Sequence, residues 1–123
     1  LATGEGNIDR ERVMHYAMLD IDEQERLRDI VEKPGADHPL ARQAQHWVSM
    51  NLWSFTPRFF EACARVTPSA RGELELQSAV MIAVRELGEV FRVVRAREGV
   101  LDLSRRADVA TIAGFLRGVT VVP

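Results

Sequence analysis

Val13 to Gly35 run VMHYAMLDIDEQERLRDIVEKPG, two apolar-rich segments on either side of the polar tetrad Asp22-Glu23-Gln24-Glu25. Partial alternation in Val13 to Asp22, with Leu27, Ile30 and Val31 in the second segment, fits two β-strands joined by a hairpin turn. Pro34 and Gly35 stop the second strand, because proline has no N–H to give to a ladder and disfavours helix in the residue before it.

Downstream, Pro39 to Gln45 predicts a short helix, and the aromatic, β-prone run HWVSMNLWSFT from His46 to Thr56 predicts a third strand. Thr56-Pro57 then opens a helix, with Thr56 as cap and Pro57 in the first turn, and places Phe59, Phe60, Cys63 and Ala64 on one face. Leu74, Leu76, Val80, Met81, Val84 and Leu87 recur with a period of about 3.6, so Arg71 to Leu87 is expected to be helical and to end at Gly88. Val90 to Arg97 alternates, Gly99 to Leu103 adds a short apolar piece, and Asp108 to Leu116 predicts a terminal helix. The order β-β-α-β-α-α-β-β-α argues for the α/β class, a mixed sheet with helices packed on it. Residues 1–9 have neither periodicity nor bulk and are expected to form a flexible N-terminal edge, leaving 10–123 as one structured part.

With 46% hydrophobic and 28% charged residues in 123, the composition is that of an ordinary soluble globular domain. The net charge of −2, with both signs interleaved, gives no footprint for a nucleic acid polymer or an anionic membrane. No apolar run approaches the roughly 20 residues of a membrane span, and the N-terminus lacks the pattern of a signal peptide. Cys63 is the sole cysteine, so no internal disulfide forms, and a cytoplasmic location is expected.

Several familiar devices are absent. Gly4 and Gly6 lack the third glycine and preceding strand of a phosphate loop, and His15, His38 and His46 share no metal-ligand spacing. Cys63 lies among apolar neighbours and reads as a small core residue. What remains are charged residues at strand ends. Glu32-Lys33-Pro34 closes a strand at its C-terminal edge, where open α/β sheets bind ligands. A carboxylate there accepts hydrogen bonds from sugar hydroxyls and a lysine neutralises a phosphate, although a solvated pair before a turn reads the same way. Arg71-Gly72-Glu73-Leu74-Glu75 opens the long helix, where the helix dipole by itself favours acidic residues. Asp102, between Leu101 and Leu103, is a carboxylate in an apolar setting that calls for a cation or backbone amides.

Taken in order, Glu32-Lys33-Pro34, the run Val48 to Pro57 (VSMNLWSFTP), Arg71 to Leu76 (RGELEL), and Asp102-Leu103-Ser104 with Asp108 resemble the C-terminal half of sugar-phosphate nucleotidyltransferases, the enzymes that make nucleotide-sugars. The resemblance covers roughly residues 10 to 117. It implies part of a doubly wound mixed sheet with flanking helices, lacking the N-terminal nucleotide-binding segment, and an activity that joins a nucleoside triphosphate to a sugar 1-phosphate with release of pyrophosphate. It also implies that Glu32 contacts sugar hydroxyls, that Lys33 contacts the sugar phosphate, and that Ser49 to Asn51 line the sugar pocket. Asp102 matches a ligand of Mg2+ in the complete enzyme. The sequence departs from the family pattern where Ala17 follows Tyr16 in place of glycine and where Ser104 replaces glycine after Asp102. The glycine-rich triphosphate loop has no counterpart here, so the chain alone is expected to be inactive and to need an N-terminal segment or a second chain. A non-catalytic module that binds a sugar phosphate or a protein is the alternative.

Overall fold

A computed structural model describes residues 13–96, 103 and 106–120. Strands β1 (Met18–Ile21) and β2 (Leu27–Val31) form the expected hairpin, and β3 (Trp47–Val48) pairs with the other edge of β1. The turn is short and fully bonded. Asp22 N–H donates to the Arg26 carbonyl (2.9 Å), and Glu25 takes a left-handed φ of 59°, the geometry that closes a three-residue hairpin loop. The Asp22 carboxylate accepts from the backbone N–H of Gln24 (2.9 Å) and Arg26 (2.8 Å) and from the Arg26 guanidinium (2.7 Å). These bonds, the Arg26 backbone N–H foremost, hold its carboxyl below the usual aspartate value.

The sheet order is β2-β1-β3, antiparallel throughout. Met18 stands between Val31 and Val48, and Leu19 between Ile30 and Trp47. Successive rows of a sheet face opposite sides. The Met18 row therefore packs with Val13 and Leu40, while the Leu19 row packs with Phe59, Ala62, Val80 and Ala83. A 3-10 turn, Pro39–Arg42, presents Leu40 to the first cluster, and His38 caps it by accepting the Leu40 N–H at Nδ1 (3.3 Å).

Helices α1 (Phe59–Cys63) and α2 (Leu76–Arg85) cover the second face, α1 lying on α2 and α2 on β2. Ala62, Ala79 and Ala83 are all buried, and their small side chains let the helices approach closely. Val80 is fully enclosed, a burial that contributes about 1.5–3 kcal/mol. Arg65 links the helices through Glu61 and Glu86 (3.1 Å to the latter), and the Glu86 bond raises its pKa. Helix α3 (Asp108–Leu116) has no buried residue, and Phe115 on it is 67% exposed.

Five expectations are corrected. The third strand ends at Val48 rather than Thr56, because Asn51 turns left-handed (φ 53°) and its N–H goes to Ser49 Oγ (3.2 Å) instead of to a ladder. Helix α2 begins at Leu76 rather than Arg71, since Ser69 to Glu73 form a turn around Gly72 at φ 75°. Of the segment Val90 to Arg97, the described residues 90–96 form no continuous strand: they hold one bridge, Arg92 to Arg26, supported by Leu27 N–H to Phe91 O (2.9 Å) and Val93 N–H to Glu25 O (2.7 Å). On α1 the inward residues are Phe59 and Ala62, three apart, so Phe60 (76% exposed) and Cys63 point outward and Cys63 is not a core residue. Thr56 does not cap α1 but donates its hydroxyl to Glu89 (3.2 Å). Most of the apolar piece Gly99 to Leu103 lies outside the described residues. The described part is thus α/β, with a small three-stranded antiparallel sheet.

Two outcomes follow from the backbone. A depressed carboxylate stabilises the fold fully above the ordinary aspartate value near 4, and loses that effect as pH falls through its lower folded value. Asp22→Asn should therefore flatten the acid limb of unfolding midpoints measured by circular dichroism, without changing the slope near neutral pH. Because glycine tolerates positive φ and β-branched residues do not, Asn51→Gly should be near neutral, whereas Asn51→Val should cost about 1–2 kcal/mol in urea unfolding.

Candidate functional site

Since β1 is antiparallel to both neighbours, β2 and β3 run in the same direction and end at the same edge of the sheet. Glu32-Lys33 leave β2 there, and Ser49 to Asn51 leave β3. Ala17, just before β1, sits between them, its carbonyl accepting the Ser49 N–H (2.9 Å). The two strand ends are separated by two strand spacings, roughly 10 Å, a gap that a ligand rather than a direct bond would bridge.

Each pair is internally connected. Lys33 Nζ lies 3.8 Å from Glu32 Oε1, and Asn51 N–H donates to Ser49 Oγ, whose hydroxyl faces Asn51 Oδ1 at 3.4 Å. The Glu32 side chain is only 17% exposed, whereas Lys33 reaches solvent. Lys33 and Asn51 are two of the three non-glycine residues with positive φ among the described residues, so both strand ends turn sharply at these positions. The Ala17 methyl, where the family pattern has glycine, belongs to the core cluster with Leu19 and Ile30.

Glu32 also borders a cleft of 410 Å³ between β2 and α2, shared with Asp29, His38, Glu75, Gln77 and Arg85. Ser49 and Asn51 do not line it, so the structure brings the four residues to one sheet end but not into one cavity. Within the cleft, Arg85 is paired with Asp29 (3.0 Å), and Glu75 with Arg71 outside it (2.9 Å). Sequence reasoning passed over His38, Gln77 and Arg85 as site residues. For Gln77 a signal was present: it is a polar residue on the same helical stripe as Val80, Met81 and Val84.

Asp102 and Ser104 lie outside the described residues. Among the described residues, no group of three or more His, Cys, Asp or Glu is placed to hold a metal ion, and no helix is long and apolar enough to cross a membrane.

Two curated relatives come from Haloferax volcanii. A UTP–glucose-1-phosphate uridylyltransferase is 27% identical over 101 residues, which is 82% of this chain and 39% of the relative. A low-salt glycan biosynthesis nucleotidyltransferase is 31% identical over 70 residues, 57% of this chain and 18% of the relative. The chain thus spans well under half the length of either one. No solved structure matches it significantly. The sequence pattern of the family described as nucleotidyl transferase matches residues 6–108, a span that includes the hairpin, both strand ends and the two helices packed on the sheet, and the chain belongs to that family.

Proposed function

We propose that this chain forms the sugar-phosphate-binding portion of a nucleotidyltransferase that joins a nucleoside triphosphate to a sugar 1-phosphate and releases pyrophosphate. The observation that carries this reading is the common edge of β2 and β3, which sets the acidic and basic side chains of Glu32 and Lys33 across Ala17 from the hydroxyl and amide of Ser49 and Asn51. A carboxylate, an amide and a hydroxyl suit sugar hydroxyls, and an exposed ammonium suits the phosphate.

In the reaction, a phosphate oxygen of the sugar 1-phosphate forms a bond to the α-phosphorus of the triphosphate as the bond to pyrophosphate breaks. No covalent link to the protein is needed, so this portion acts by holding one reactant in line and neutralising its charge. Mg2+ would supply charge neutralisation at the phosphates, with Asp102 as its candidate ligand from this chain. The nucleotide site, and the remaining strands of a doubly wound sheet, would come from further chain or from a second molecule. Support for that comes from the share of the relatives that this chain spans and from exposed apolar side chains such as Leu52, Phe60 and Phe115.

Calorimetric titration of the intact protein with glucose 1-phosphate tests the assignment of Lys33. Lys33→Ala should weaken binding by about 1.5–3 kcal/mol, the worth of a charge-assisted hydrogen bond; an unchanged dissociation constant removes Lys33 from the site. For Asp102, pyrophosphate release from UTP and glucose 1-phosphate with Mg2+ should fall by about 100-fold or more in Asp102→Asn, while affinity for the sugar phosphate stays the same. Full activity of that variant contradicts a metal role, and sugar-phosphate binding by the wild type without any pyrophosphate release points to a non-catalytic module.

A further inference from the structure

The 3-10 turn Pro39–Arg42 lies in the connection from β2 to β3, and its buried Leu40 completes the cluster of Val13, Met18 and Val48. A single turn has little stability of its own, so the groups that hold its ends matter. Both are histidines. At the start, His38 Nδ1 accepts the Leu40 N–H (3.3 Å). At the other end, His46 Nε2 lies 3.2 Å from the Ala41 carbonyl, and because a carbonyl only accepts, Nε2 is the nitrogen that carries the proton. His46 Nδ1 is buried, with no hydrogen-bond partner among the described residues.

Both contacts require an uncharged ring. A second proton on His38 occupies the lone pair that caps the turn, and one on His46 puts a charged N–H where no acceptor meets it, which is costly. The surrounding charges act in the same direction at His38. Its ring lines the cleft with Asp29 and Glu32 on the β2 side and Glu75 and Arg85 on the α2 side. Arg85 is engaged by Asp29 and Glu75 by Arg71, while Lys33 approaches Glu32 only to 3.8 Å. An imidazolium is therefore drawn toward Glu32 and off the cap. On the turn itself Asp37 and Arg42 pair with each other. Strand β1, which packs on the turn, carries Asp20, paired with Arg28 (3.7 Å), and Arg95 lies over the Trp47 ring of β3. The held turn binds no proton at either Nδ1, whereas the released turn binds up to two, so a falling pH favours release.

We infer that Pro39–Arg42 is a pH-sensitive latch. Neutral His38 and His46 hold it on the sheet, and their protonation between about pH 8 and 5, where histidine changes charge, frees Leu40 from its cluster and loosens the connection from β2 to β3. Amide exchange in the intact protein, followed by NMR as the ratio of intrinsic to observed rate, reads the latch directly, because the Leu40 N–H is the group that His38 caps. From pH 8 to 5 the Leu40 ratio should fall about tenfold, the worth of one lost hydrogen bond, while that of Val80 in the other cluster stays constant. His38→Asn keeps a side-chain acceptor for the cap and His46→Gln keeps an amide donor for the Ala41 carbonyl, yet neither new side chain titrates. Each single substitution should leave a smaller fall, and the double substitution none. A constant Leu40 ratio in the wild type, or an equal fall at Val80, overturns the inference whether or not the variants fold. So does a double variant that keeps the full fall, or a single substitution that abolishes it, since the latch is then not held at both ends by histidine.

Discussion

The antiparallel pairing of β1 with both of its neighbours is the constraint on which the rest of the molecule depends. It makes β2 and β3, which are separated in sequence by the 3-10 turn, run the same way and finish at the same end of the sheet, one on either side of β1. A small antiparallel sheet thereby gains one end at which two strands running the same way both stop, flanking the start of β1. The tight turn at Asp22 to Arg26 fixes the register of β1 on β2, and a one-residue slip would exchange the faces of both apolar rows.

Those rows divide the core between two clusters, one under Leu40 and one under the helices. On the helical side, alanines bring α1 and α2 close together, and the aromatic group of Trp53, Phe55, Phe59 and Phe91 ties the irregular segment after β3 to the segment that pairs with the hairpin turn. The Phe55 and Phe59 rings stack at 3.7 Å with planes 6° apart. This explains how the residues from Trp53 onward are held without strand partners: aromatic side chains anchor them. Backbone strain is concentrated at the sheet edge, where Lys33 and Asn51 both adopt left-handed conformations that the surrounding packing must stabilise.

The family's match over residues 6–108 spans the sheet edge at which β2 and β3 both end. The cleft beside α2 adds a second level. Its lining joins residues of β2 to residues of a helix far along the chain, and it is more acidic than a phosphate site would be.

The sequence by itself determined the hairpin, the core of α2 and the extent of α3. A period of two around a polar tetrad, a stop at Pro34 and a period near 3.6 through Val80 and Leu87 are local signals that tertiary contacts had no reason to overrule. The ordered motifs around Glu32 and Lys33 also sufficed to name the family. Tertiary structure decided the rest. The β-prone run after Val48 lost its strand because Asn51 bonds locally to Ser49 and the aromatic side chains found a stack, and residues 71–75 lost their helix to the turn at Gly72. Cys63 faces outward because a five-residue helix has room for only one inward face. That Glu32 and Gln77 line one cleft could not be read from the chain at all, since 45 residues separate them and only the docking of α2 on β2 brings them to it.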